Sequence, residues 1–270
     1  GHNVVLLQQL KNGDERLWYA QKSFERGWNR TTLEKHIKYD LYGREGKAIT
    51  NFKQILPYSD STLAQEAFKD PYIFDFLTLR DNHVERDLEQ GLIDHVQDML
   101  LELGKGFSLV GRQCHLEFGG KDYFLDLLFY HFTLHCFVVV ELKSVEFTAE
   151  HVGKLNLYLT AVDKLLRGPE DKPTIGLLLC KTKDKFTAEY ALQNIVSPIG
   201  IAEYETQLLK KLPKELKRSL PTVEELEEEF EKNALIRKRS SSKRLMTRTI
   251  KRATKSKTKS KTKSSKKGRK

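Results

Sequence analysis

Three charged side chains stand where apolar strands should run uninterrupted: Asp126, Glu141 and Lys143. They belong to the stretch 123–143, YFLDLLFYHFTLHCFVVVELK, whose two apolar runs read as strands buried on both faces. An isolated buried carboxylate is costly unless a metal, a cation or hydrogen bonds offset it. Positions 141 and 143 share a face because strand side chains alternate with period two. Two acids and a lysine at neighbouring strand ends suit a divalent cation with a cationic helper. The bland alternative is a buried ion triad without activity, a poor way to stabilise a core.

The elements that must position these charges can be traced along the chain. Val84, Leu88, Leu92, Val96, Met99 and Leu103 recur at helical spacing, and Gly104 is a stop signal, so one helix is expected over 84–103. Glu89 adjoins that stripe as a flank acid. A hairpin is expected next, 107–118, with Gly119-Gly120 supplying the positive φ angles of a tight turn before the Asp126 strand. The Glu141 strand follows, then a helix over 149–166 carrying Lys154 and Tyr158 on its flank. A buried strand at 174–181, a helix near 185–195 and a strand at 199–204 close the body. This order predicts an α/β fold, a mixed central sheet flanked by helices. Cys114, Cys136 and Cys180 each fall inside an expected strand without metal-type spacing, and read as reduced core residues.

Upstream, residues 1–80 read as helical: one helix over 15–26 stopped by Gly27, and a second capped by Thr31 with Glu34 and ended by Gly43. Such a pair is more often a packing unit than a DNA-reading helix-turn-helix. The segment 68–79, with Pro71 and several aromatics, reads as a docked junction. Downstream, 213–236 is expected to be an acidic helix and 237–270 a low-complexity, disordered tail. The net charge of +10 resides in that tail: it holds 17 Lys or Arg and no acid, leaving 30 basic and 37 acidic residues elsewhere, a balance of −7. Such a tail binds polyanions by counterion release, with steep salt dependence. No apolar stretch approaches the roughly 18 residues that cross a bilayer, and no signal peptide is visible, so a cytoplasmic location is expected. The chain opens on GHN rather than Met, which suggests a processed or truncated N-terminus.

An Asp on one strand and Glu-x-Lys on the next form the pattern of the PD-(D/E)xK nucleases. The strings FSLVGRQCHLEFGGKDYFLDLLFYH, VVVELK, GKLNLYLTAVDKLLR, KPTIGLLLCK and AEYAL resemble the YhcG-type family of that superfamily. GHNVVLL, ERLWYAQKSFERGW, GKAITNF and DPYIFDFL resemble the helical domain usually fused to it, here truncated. The resemblance covers residues 1–204 and implies a restriction-endonuclease-like core. The domains expected are a helical one at 1–80 and a nuclease domain at 81–212, followed, outside the resemblance, by the acidic helix 213–236 and the basic tail 237–270. The resemblance also implies that Asp126 and Glu141 bind metal, that Lys143 is the catalytic lysine, and that Glu89 is the acid of the first helix. The chain departs from the pattern in two places. Lys154 and Tyr158 stand where many relatives have Gln and Tyr, and Leu125 precedes the first acid in place of proline.

The expected function is therefore a Mg²⁺-dependent nuclease, with Mn²⁺ as substitute, cutting DNA internally. Phosphodiester hydrolysis needs an activated water and charge on the phosphoryl oxygens, and Mg²⁺ is typically held by one or two carboxylates plus substrate phosphate. Arg112, Gln113, Lys121, Lys154 and Tyr158 are the candidate nucleic-acid contacts. Two rivals from other classes are a catalytically silent nucleic-acid-binding module and a domain whose N-terminal helices recruit a protein partner. RNA or branched DNA as substrate, and a homodimer, stay open.

Overall fold

Runs such as FVVV and IGLLLC are apolar on both faces and must be covered on two sides. In the computed structural model, which describes residues 1–79 and 83–208, helices before and after these runs supply the cover. Helices α1 (His2–Gln9), α2 (Gly13–Arg26), α3 (Arg30–Lys38) and α4 (Leu41–Arg44) open the chain. Strand β1 (Ile49–Thr50), helices α5 (Phe52–Ile55) and α6 (Tyr58–Ala67), and strand β2 (Tyr72–Leu79) follow. Next come α7 (Glu85–Asp94), α8 (Val96–Leu103), β3 (Phe107–Phe118), β4 (Lys121–His131) and β5 (Cys136–Glu146). The last elements are α9 (Ala149–Leu165), β6 (Ile175–Thr182), α10 (Lys185–Ala191) and β7 (Ile199–Leu208).

The strands form one seven-stranded mixed sheet in the order β1-β7-β6-β5-β4-β3, with β2 also on β7. β3, β4 and β5 are antiparallel, whereas β5, β6 and β7 run parallel. The expected hairpin turn is present, with Gly119 at φ 61 and Gly120 at φ 67 between the paired Phe118 and Lys121. Val138, Val140 and Leu142 of β5 face a core shared with Leu88, Leu92, Met99 and Leu103. Val139 faces the other core, under Val152, Leu155, Leu159 and Val162 of α9. A separate small cluster of Val5, Leu6, Leu10, Tyr19, Leu33 and Leu41 holds the first four helices. All three cysteines are free and lie in strands.

Four expectations need correction. The stretch read as a junction is strand β2, paired in parallel with β7; its aromatics Tyr72 and Phe74 are core residues. The single helix expected over 84–103 breaks at His95 (φ −117, ψ 40), whose ring bonds back to the Gly91 carbonyl at 3.1 Å. Helix α3 is capped by Asn29, whose side chain accepts from the Thr32 N–H at 2.8 Å, while Glu34 pairs with Arg30 at 2.9 Å. That helix ends at Lys38 and not at Gly43. The acidic and basic segments 213–236 and 237–270 lie outside the described residues.

Helix α9 can press on the sheet because Gly176 of β6 lacks a side chain. A Cβ there would stand 2.9 Å from Leu155 Cδ2 and 3.1 Å from Leu159 Cδ1. Gly176→Ala is expected to overpack this contact and lower stability by about 1–3 kcal/mol, read as a lower urea midpoint at unchanged m-value. An unchanged midpoint would mean that α9 is not seated as tightly as those distances require.

Candidate active site

The β4–β5 ladder runs from His131↔Cys136 up to Leu127↔Val140 and stops there. Asp126 and Glu141 would form the next pair, and at that point the strands part. The carboxylate of Asp126 replaces the lost backbone partner, its Oδ2 accepting from the Leu142 N–H at 2.9 Å. Glu141 and Lys143 share a face as period two requires, with Lys143 Nζ 3.0 Å from Glu141 Oε1. Lys154 reaches the same oxygen from α9 at 2.5 Å, and its ammonium lies 5.2 Å from the Tyr158 ring centroid.

Helix α7 supplies two further acids. Glu85 Oε2 accepts from Lys143 Nζ at 3.1 Å. Glu89 is 7% exposed, and its Oε2 accepts from the side-chain amide of Gln113. The same amide nitrogen lies 3.4 Å from Asp126 Oδ1, so Gln113 bridges the two carboxylates. Gln113 holds a left-handed backbone, φ 43, in the middle of β3, a local strain that non-glycine residues sustain mainly at functional sites.

Glu141 has no exposed surface, yet its Oε2 is buried without a hydrogen-bond partner. Such an atom costs the full desolvation of a charged acceptor unless something else satisfies it. Solvent reaches the cluster through the half-exposed Lys154 and the partly exposed Asp126, so the acid sits beneath its cations and does not face open water itself. Burial, and then the neighbouring Glu141, push the Asp126 carboxyl up to about 6, against the pull of the Leu142 N–H and the two lysines. Burial works against the charge on Lys143 and Lys154, but Glu141 outweighs it and raises both above the ordinary lysine range. Burial likewise raises the Tyr158 hydroxyl, with Lys154 opposing.

Among the described residues, no group of three or more His, Cys, Asp or Glu side chains has a metal-holding arrangement. The donor set is instead two carboxylates, all oxygen, with one oxygen already orphaned, and it fits a hard ion that keeps most of its waters. Arg112 is turned toward α7, bonding Gln90 Oε1 at 2.7 Å with Glu89 at 3.9 Å. Lys121 lies exposed beside the hairpin turn, away from the ladder break. Asp163 and Arg167 pair at the end of α9 at 3.3 Å, as their spacing suggests. Glu85 escaped the sequence reading: an acid in the first turn of a helix looks like a complement to the helix dipole, and nothing links it to a lysine 58 positions away.

The chain is 35% identical over 226 residues to the YhcG protein of Escherichia coli (strain K12), covering 82% of this chain and 60% of that relative's length. Two solved structures share part of the chain: a repair endonuclease from Pyrococcus abyssi (15% identity, TM-score 0.31, 47% of this chain and 49% of that one). The other is an EndoMS–dsDNA2 complex (16% identity, TM-score 0.33, 50% of this chain and 48% of that one). Residues 65–221, more than half of the chain, match the family described as the YhcG PDDEXK nuclease domain, and the chain belongs to that family.

Proposed function

We propose that the chain is a divalent-metal-dependent nuclease that hydrolyses DNA phosphodiester bonds internally, with Asp126, Glu141 and Lys143 as its catalytic residues. The observation that carries this is the break in the β4–β5 ladder, where two carboxylates and a lysine converge and a buried carboxylate oxygen is left without a partner. Asp126 and Glu141 would hold the ion, Mg²⁺ by the hardness of the donors, with Mn²⁺ as substitute. When bound, such an ion makes a water nucleophilic at neutral pH and stabilises charge on the phosphoryl oxygens. At neutral pH Asp126, with its carboxyl near 6, is ionised and ready to ligate.

Lys143 keeps its proton because Glu141 and Glu85 hold it, so it acts as a donor that orients the attacking water or steadies the charged phosphate. Lys154, half-exposed over Glu141, offers its remaining N–H donors to a phosphate arriving from solvent. Gln113 aligns Glu89 with Asp126. The basic run 237–270 would raise the local concentration of DNA without choosing sequence. DNA is the substrate proposed from membership of a nuclease family and from the charge of that run.

One observation favours a second reading. Lys143 and Lys154 together neutralise Glu141 without a metal, which is what a catalytically silent binding module would need. Plasmid cleavage decides between them. With Mg²⁺ or Mn²⁺ supercoiled plasmid is expected to be relaxed and linearised, and chelation to stop it. Lys143→Ala should slow this by roughly a hundredfold or more, and Glu85→Ala, which frees the lysine, by about tenfold. No cleavage at any metal concentration would establish the silent module; full cleavage by Lys143→Ala would dismiss this site.

A further inference from the structure

Away from the ladder break, a hollow of about 250 Å³ opens among α2, α3 and α8. Its lining includes Arg26, Trp28, His36, Lys69, Gly104 and Lys105, and no acidic residue. At about 30 Å³ per water it has room for roughly eight waters, enough for an anionic group and a small attached moiety.

Its positive charge is only partly compensated. Lys69 is only 2% exposed. Its ammonium donates to the main-chain carbonyls of Glu102 and Leu103, at the end of α8, and meets no carboxylate oxygen among the described ion pairs. Lys105, at the rim, donates to the Glu25 carbonyl at 3.4 Å and forms no ion pair among the described residues. Arg26 commits one nitrogen to Glu45 at 2.9 Å and lays its guanidinium 5.8 Å from the Trp28 ring. A buried ammonium bonded directly to neutral dipoles, with Glu102 and Glu45 supporting its charge only at longer range against burial, is an expensive arrangement, and an anion would complete it.

His36 reports the local field. Burial first, then Lys69, Arg44, Arg26 and Lys35, hold its imidazole down at about 3, so it stays neutral. It stands against Trp28 with ring centroids 4.3 Å apart, giving the hollow a flat uncharged wall beside its cations. Gly104 adopts φ +105, and a Cβ there would stand 3.7 Å from Lys69 Nζ, in the space an anion would need.

We propose that this hollow binds a phosphate group, with its oxygens against Arg26, Lys69 and Lys105 and any attached organic part on Trp28. Arg offers paired N–H donors that match phosphate oxygens, and Lys adds point charges. The phosphate is either free or the terminal phosphate of a nucleic acid strand.

The chain has two tryptophans, so Trp18→Phe leaves Trp28 as the sole indole reporter inside the full-length protein. Sodium phosphate is titrated against sodium chloride at matched ionic strength. A saturable change in Trp28 emission with phosphate alone is expected. Lys105→Ala, an exposed position that should not disturb folding, is expected to weaken it at least tenfold, and Arg26→Gln similarly. A 5′-phosphorylated dinucleotide binding more tightly than both inorganic phosphate and its unphosphorylated counterpart would identify a strand end as the ligand. Equal or weaker binding than inorganic phosphate would identify the free ion. If phosphate and chloride titrate alike, or Lys105→Ala responds as the parent does, the site is not there.

Discussion

Glu141→Gln is expected to cost cleavage roughly a thousandfold, about 4 kcal/mol of transition-state stabilisation, and to destabilise the fold as well. The amide keeps the shape of the side chain but removes the charge that two ammonium groups share at 3.0 and 2.5 Å. Lys154 can swing into water, being about half-exposed, whereas Lys143 cannot. Stranding one partner of a buried pair costs about 3–5 kcal/mol. Glu85 and the Leu142 carbonyl stay in place to soften the loss, so the lower end of that range is expected. The two effects separate in the double variant Glu141→Gln with Lys143→Met. It should recover most of the stability, because an apolar side chain needs no counter-charge, while cleavage stays lost. Urea midpoints and plasmid relaxation measured on the same preparations test both halves. Cleavage within tenfold of the parent would remove Glu141 from the chemistry. Parental stability in the single variant would show that the buried ion cluster is not held as tightly as its distances imply.

The candidate site was legible from sequence where chemistry and period coincide locally. Asp126 interrupting LDLLF, and Glu141 and Lys143 two apart after FVVV, carry both their cost and their shared face in a few residues. The Gly119-Gly120 turn did the same for the hairpin that sets β3 against β4. What escaped depends on contacts between distant segments. β2 joins the sheet only through β7, more than a hundred residues later, and Pro71 in front of it looks like an interruption. Glu85 acquires meaning only when α7 crosses over β5. Lys154 occupies a flank position on its helix, and only the docking of α9 on Gly176 carries its ammonium to Glu141. The break at His95 is hidden for a different reason: the apolar stripe continues through it, with Leu92 and Met99 both buried, so the spacing reads as one helix.

Acid should unfold this protein earlier than its carboxylates alone would. Burial holds His36 at about 3 and His131 at about 4, and both side chains are nearly inaccessible, at 7% and 3% exposure. In the unfolded chain each takes a proton near pH 6.5. Between pH 6.5 and about 4 the unfolded state therefore binds more protons than the folded state, and stability falls as pH falls. At pH 4.5 each histidine forfeits about 2–3 kcal/mol at 1.36 kcal/mol per pH unit. Asp126 works in the opposite direction: its raised carboxyl, near 6, takes up a proton in the fold before the unfolded chain does, and returns about 2 kcal/mol over the same window. A net loss of about 3 kcal/mol is left, a large share of the 5–15 kcal/mol typical of a folded domain. The urea midpoint should accordingly drop between pH 7 and pH 4.5 in metal-free buffer. His36→Phe keeps a ring against Trp28, 4.3 Å away in the parent, but has nothing to protonate; the remaining loss at His131 is then largely offset by Asp126, so its midpoint should fall by only about a fifth as much. A parent midpoint that does not move, or a variant that falls in step with it, would mean that the imidazoles take up protons without unfolding the chain.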